Sequence, residues 1–307
     1  MSINNHFALN HILSPNLILK DFFALSNNMN IQNIEIRNDL PNVSLKAMEP
    51  NMIKELSKEL KIKILSINAL QKFNLWNDKR RKELIFLCEF AKKCNCKGIV
   101  LVPLNNGKFI NHKERQKLLY NSLKKIKSIL NNYSLMGYVE PLGFKTSSLR
   151  FKSEVAEAID QISPKNTLKI LHDTFHHYLA NEEAVFPNLT GLVHISGISD
   201  TRIKNNEMKD DHRELINNND VLQNVEQIMN LKESGFAIIM EELYYAKFIT
   251  DSFCEVPYEL TGRSREQGKS KFSYNLSTCI KYLKYSFNSY FKHMYKKYFN
   301  LNIKHTI

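Results

Sequence analysis

The chain has 307 residues, 43% of them hydrophobic and 18 of them Phe, which is enough apolar material for a large core and a suitable length for one barrel domain with an extension. Its formal charge is 43 − 31 = +12, a basic balance that suits nucleic acid or an anionic surface as a partner. No apolar run approaches the roughly 18 residues of a membrane helix, and MSINNHFALN lacks the charged start and apolar core of a secretory signal. The five cysteines (Cys88, Cys94, Cys96, Cys254, Cys279) are odd in number and lack zinc-ribbon spacing, so they read as reduced thiols of a cytoplasmic protein.

In chain order, short apolar runs alternate with longer amphipathic ones. Phe7–Asn10 is the first strand candidate, followed by a helix over Asn16–Asn28 with Pro15 at its first turn. Ile31–Arg37 and Asn51–Leu60 form the second strand and helix, and Ile62–Leu70 and Asn77–Lys93 the third pair. Gly98–Leu104 is a continuous apolar strand of the kind buried on both faces, and His112–Leu130 a basic amphipathic helix. A strand over Leu135–Glu140 leads to a helix over Lys152–Ile162. The strand Leu168–Asp173 then leads to a short helix or loop. Gly191–His194 follows, then a loop rich in Asn and Asp, a helix over Asp220–Ser234 and a last strand, Phe236–Glu242.

Eight strand candidates, each followed by a helix or a loop able to hold one, predict an α/β fold, a (β/α)8 TIM barrel of parallel strands with right-handed crossovers. Such a barrel carries its active site at the carboxyl ends of its strands. The expected division is a barrel over 1–248 and an irregular basic extension over 249–307, where ten Lys/Arg stand against four Asp/Glu.

The last four strand candidates each end in a group able to bind a metal: Glu140, Asp173, His194 and Glu242. Taken singly, each could be a strand-end charge facing water; taken together they predict one divalent metal at the top of the barrel. Three carboxylates and one imidazole suit Mn²⁺, Mg²⁺, Co²⁺ or Zn²⁺, and the absence of a thiolate from the set argues against a closed structural zinc site. A metal in that setting polarises a ketone and its neighbouring hydroxyl, so that a nearby carboxylate can move the adjacent proton.

The stretches FALN (7–10), IEIR (34–37), INAL (67–70), VLVPL (100–104), VEPLGF (139–144), HDTFH (172–176), VHISG (193–197), DDHR (210–213) and EELYY (241–245) resemble, in this order and spacing, the xylose-isomerase-like TIM barrels. That group includes sugar-phosphate isomerases, ketose epimerases and endonuclease IV, and within it the chain looks most like the 2-keto-myo-inositol (inosose) isomerases. The resemblance implies an isomerase or epimerase of inositol and sugar metabolism acting on a keto-inositol or ketose, with zinc or manganese first among the metals. It implies Glu140, Asp173, His194 and Glu242 as ligands, and Glu140 and Glu242 as the acid/base pair. His176 would contact substrate in the reaction, with Asn68 and Arg213 as further substrate contacts. Glu242 is preferred to Glu241 because a Glu-Leu pair is preserved there. His177 has no matching role and is expected at the surface or behind the site.

Endonuclease IV offers a rival function, since Asp210-x-His212 matches one of its ligand pairs. Two further histidines it uses on strands three and four correspond here to Asn68 and Pro103-Leu104, so nucleic acid is not the expected substrate. Beyond the barrel, EVPY…GRSREQGKSKFS resembles the carboxyl end of glycosyltransferases acting on polyprenyl phosphates. No nucleotide-sugar domain precedes it, so no transferase activity is inferred. Ser277–Phe299 reads either as the barrel's last helix or as a helix lying on a membrane surface.

Overall fold

The computed structural model describes residues 7–108, 111–162, 167–198 and 202–214. All of these belong to one compact unit of the chain, Met1–Asn224 with Thr250–Tyr258. The expected eighth strand, the candidate ligand Glu242 with its reserve Glu241, the 248/249 boundary and the basic extension lie outside the described residues.

Seven strands alternate with helices: β1 Leu9–Asn10, α1 Leu19–Asn28, β2 Asn33–Arg37, α2 Pro50–Glu59, β3 Lys63–Gln71, α3 Asp78–Lys93, β4 Gly98–Val102, α4 His112–Tyr133, β5 Met136–Val139, α5 Lys152–Ile162, β6 Leu168–Asp173, α6 Thr174–Ala180 and β7 Thr190–His194. Every neighbouring pair is parallel, in sequence order from β1 to β7. The sheet curls into a TIM barrel: His194 at the end of β7 comes within 3.0 Å of Glu35 on β2, although four strands lie between theirs along the sheet.

Local chemistry sets where these elements start and stop. Asn77 caps α3 by accepting from the Arg80 N–H, and Asn111 caps α4 by accepting from Lys113 and Glu114. Pro50 stands at the first position of α2, where its missing N–H costs nothing. β4 ends before Pro103 and β5 before Glu140-Pro141, because proline has no N–H to give to the ladder. Glu140 therefore stands just beyond its strand, its N–H still donating to Leu101 at 3.1 Å.

Two expectations need correction. Pro15 is not at the first turn of α1, because residues 14–17 close a separate turn, Leu17 N–H to Ser14, and His11 Nε2 donates to the Leu17 carbonyl; the helix begins only at Leu19. The first strand holds just Leu9–Asn10 of the expected run. The segment after β6 is the short helix that was one of its two expected forms: α6 starts where Asp173 accepts from the His176 N–H and ends where Asn181 enters the left-handed region.

Strand residues alternate between two cores. Ile34, Ile36, Ile64, Ile99 and Ile170 point outward and pack under the helices with Phe22, Phe23, Leu84, Leu87 and Leu123. Ala8, Leu65, Ala69, Val100, Tyr138, Leu171 and Leu192 fill the barrel's interior. Each large side chain fully buried here contributes about 1.5–3 kcal/mol. Cys88, Cys94 and Cys96 are free, buried thiols among these layers; Cys254 and Cys279 lie outside the described residues. No described helix is long and apolar enough to cross a membrane.

Candidate metal centre

The polar residues gather where the strands end. Glu140, Asp173 and His194 follow or finish three successive strands, and the first turn of α6 adds His176. A cavity of about 770 Å³ opens over them, its wall including Asn10 and Asn68 inside, Arg37 and Asp39 on one side, and Ser196, Asp210 and Arg213 on the other.

Among the described residues, ligand atoms of Glu140, Asp173 and His176 lie within 4.8 Å of one another. His194 joins them, its Nδ1 lying 3.4 Å from Glu140 Oε1 and 3.8 Å from Asp173 Oδ2. All four are at least nine-tenths buried. Two carboxylates and two imidazoles, converging in a buried pocket open on one side, are a donor set that fits a divalent cation. His176 Nδ1 is buried without a hydrogen-bond partner, as expected of a group kept for a ligand or substrate.

Electrostatics divides the two carboxylates. Burial alone would raise the Asp173 pKa, but the Arg213 guanidinium and the nearby His176 and His194 hold it well below the usual carboxylate range. Arg213 Nη1 donates to Asp173 Oδ2 at 2.6 Å, while Nη2 stands 3.2 Å from both His176 Nε2 and Asp210 Oδ1. The guanidinium also lies 4.6 Å over the Phe175 ring. Among the described residues, the ionic partner of Glu140 is His194, with Nδ1 3.4 Å from Oε1.

The sequence-level set is thus brought together as far as it is described. Asn68 is more deeply engaged than a plain substrate contact: its amide donates to Glu35 at 3.0 Å, leaving Oδ1 without a partner. His177 is not at the surface. It is 7% exposed and faces Lys152 Nζ, whose other neighbours are His172 Nδ1 at 3.4 Å and Glu182 at 3.9 Å. Of the Asp210-x-His212 pair, Asp210 Oδ1 stands 3.2 Å from Arg213 Nη2 and His212 Nδ1 takes the Lys209 N–H at 3.1 Å.

Sequence comparison decides the family. The model of the xylose isomerase-like TIM barrel matches residues 23–251, well over half of the chain. The chain belongs to this family. It matches no curated protein by sequence. Among solved structures of the fold, it is similar to a xylose isomerase domain containing protein from Salmonella typhimurium, with a TM-score of 0.71 at 27% identity over 88% of this chain and 93% of that one. It is also similar to the IolI protein with a bound zinc atom, at a TM-score of 0.66 and 18% identity over 96% and 100%. A third is the 3-keto-D-glucoside 4-epimerase from E. coli, at 0.52 and 16% over 80% and 98%.

One buried acid escaped the sequence reading of this xylose isomerase-like barrel. Glu35, in the middle of β2, is fully buried inside the barrel, where it accepts from Asn10 Nδ2 at 2.7 Å, from Asn68 Nδ2 and from Ser66 Oγ. Burial alone would raise its pKa, but the charge of His194 and these hydrogen bonds bring it below the ordinary value; His194 in turn is raised by Glu35 and Glu140 against the effect of burial. The signal was available. Parallel barrel strands are buried on both faces, so the charge in IEIR has no solvated face to occupy.

Proposed function

We propose that the chain is a metal-dependent isomerase that moves a ketone along a polyol ring or chain through an enediol, with 2-keto-myo-inositol to 1-keto-D-chiro-inositol as its first candidate reaction. The observation that carries this is the convergence of Glu140, Asp173, His176, His194 and Arg213 on one cavity at the strand ends. Structural relatives that include a zinc-bound IolI and a keto-glucoside epimerase agree with it.

Glu140, Asp173 and His194 would hold the ion, zinc or manganese first, with Glu242 as the fourth ligand implied by resemblance. When bound, the metal supplies Lewis acidity toward the ketone and its neighbouring hydroxyl. Asp173 stays anionic and serves as a ligand rather than a base, since Arg213 stabilises its charge. Glu140 takes the proton from the hydroxyl-bearing carbon beside the ketone, leaving an enediol. The proton returns to the former carbonyl carbon, from Glu140 or from Glu242, its partner in the acid/base pair implied by resemblance, and a hydroxyl proton passes from the old hydroxyl oxygen to the old ketone oxygen, so no electrons leave the substrate. His176 and Arg213 bind and orient the substrate's oxygens.

The test is solvent exchange. Purified protein incubated with 2-keto-myo-inositol in D₂O should incorporate deuterium beside the ketone by NMR, and Glu140→Gln should slow this by the ~10²–10⁴ typical of a lost general base. Absence of exchange with this or any common ketose would overturn the assignment.

A further inference from the structure

We propose that Glu35 is a positioning residue of the metal centre: it holds the His194 imidazole so that Nε2–H points into the barrel and Nδ1 is presented to Glu140 and Asp173. This rests on the metal-centre assignment above and adds to it the residue that selects the ligand atom. The two ring nitrogens face different groups, Nε2 lying 3.0 Å from Glu35 Oε1 while Nδ1 faces the two carboxylates of the cavity. A neutral histidine that gives one nitrogen to a metal carries its proton on the other, and a carboxylate acceptor for that proton orients the ring and strengthens the ligand. Glu35 is that acceptor. Nε2 lies within 3.0 Å of Glu35 Oε1, but the pair is not aligned as a hydrogen bond.

The rest of the network serves to hold Glu35 still. Oε1 accepts from Asn10 on β1 and Asn68 on β3, and Oε2 accepts from Ser66 on β3. Three neutral donors from two flanking strands fix the carboxylate without competing for its charge. Burying such a charge costs several kcal/mol, and replacing a buried ionic cluster by apolar side chains is often neutral or stabilising. The neighbouring interior positions are filled in that apolar way, by Leu65, Val100 and Leu171. A charged group at Glu35 is therefore a poor choice for packing alone, and its contact with His194 accounts for it. The same network explains Asn68, which holds Glu35 from one side and opens on the cavity with its free Oδ1.

The experiment is a Zn²⁺ titration of the full-length protein, read by competition with a chromogenic chelator, for wild type, Glu35→Gln and Glu35→Asp. Wild-type protein loaded with Zn²⁺ is also examined by ¹⁵N NMR of its histidine rings. The expected result is a 10–100-fold loss of Zn²⁺ affinity in Glu35→Gln at unchanged far-UV circular dichroism. Glu35→Asp should recover part of that loss. Wild-type His194 should show zinc on Nδ1 and a proton on Nε2. Zinc on Nε2 of His194, or equal affinity in Glu35→Gln, would overturn the proposal while leaving the metal centre intact. Wild-type protein that binds no Zn²⁺, Mn²⁺ or Co²⁺ would overturn the centre itself and this role with it. Should Glu35→Gln fail to fold, the NMR assignment of the wild-type ring decides alone.

Discussion

At the scale of single residues, Arg213 and Asp173 define a competition. The guanidinium sits on one of the carboxylates that would bind the ion, with Nη1 2.6 Å from Oδ2. Its charge stabilises the anion, yet it also repels a cation held by the same oxygen. Arg213→Met should therefore separate two properties: metal affinity should rise a few-fold, while KM rises about 10- to 100-fold through loss of the charge-assisted hydrogen bond proposed to substrate, worth about 1.5–3 kcal/mol. Titration with Mn²⁺ and steady-state kinetics test both halves. If metal affinity falls together with substrate affinity, Arg213 organises the ligands and does not compete with them. Asp173 was legible in the sequence because it closes an apolar run, as Glu140 and His194 do, whereas Arg213 was reached only through the family resemblance. Glu35 was illegible for the opposite reason. It lies inside its run, where Ile-Glu-Ile looks like ordinary strand alternation, and its partners Asn10, Ser66, Asn68 and His194 come from three other strands.

At the scale of elements, α6 and the loop after β5 are built around each other. Gly143 has φ +64°, and a Cβ there would overlap the His176 carbonyl and crowd the backbone nitrogen of Ala180. Arg150 secures the same junction, donating to the Gly143 carbonyl at 2.8 Å and to the Leu179 carbonyl at 3.2 Å. Gly143→Ala should cost about 2 kcal/mol or more through positive φ and overlap together, lowering the melting temperature by several degrees. It should also weaken substrate binding by displacing His176. An unchanged melting temperature would show that the loop can move aside freely.

Behind α6, Lys152 of α5 packs against His172 and His177, 4% exposed. Burial pulls its pKa from 10.5 to about 8, against the attraction of Glu182. Between those two values the unfolded chain binds a proton that the folded chain does not, so this group makes stability rise as pH increases through the window. Below the lower value the folded state bears the full desolvation cost. Wild type should gain on the order of 3 kcal/mol relative to Lys152→Met between pH 7.5 and 10.5, measured by urea unfolding of both proteins. Parallel stability curves for the two would contradict it. This cluster was invisible to pattern reading, since Lys152 only opened a helix candidate and His177 had no matching role.

At the scale of the whole molecule, sequence periodicity was sufficient to read the barrel. Parallel strands buried on both faces leave uninterrupted apolar runs such as GIVLV, and the caps Asn77 and Asn111 mark helix starts in plain sight. Strand ends were less legible, because proline at 103 and 141 stops the ladder one or two residues before the apolar run stops. What periodicity cannot give is contact across the barrel, and that is where the site is assembled: β2 reaches β7 through Glu35 and His194, and the turn at Asp210–His212 reaches β6 through Arg213 and Asp173. Metal binding should couple these distant parts. A ligand present at 100 times its Kd adds about 2.7 kcal/mol of stability, so saturating Zn²⁺ should raise the melting temperature and EDTA should reverse the shift.

The claim on which everything else depends is that this barrel holds one divalent ion on Glu140, Asp173 and His194. The direct measurement is metal content per chain by inductively coupled plasma mass spectrometry, after loading with Zn²⁺ or Mn²⁺ and gel filtration, for wild type and Asp173→Ala. One ion per wild-type chain and nearly none in the variant is the predicted result. No ion in wild type, three ions per chain, or equal content in Asp173→Ala would contradict it.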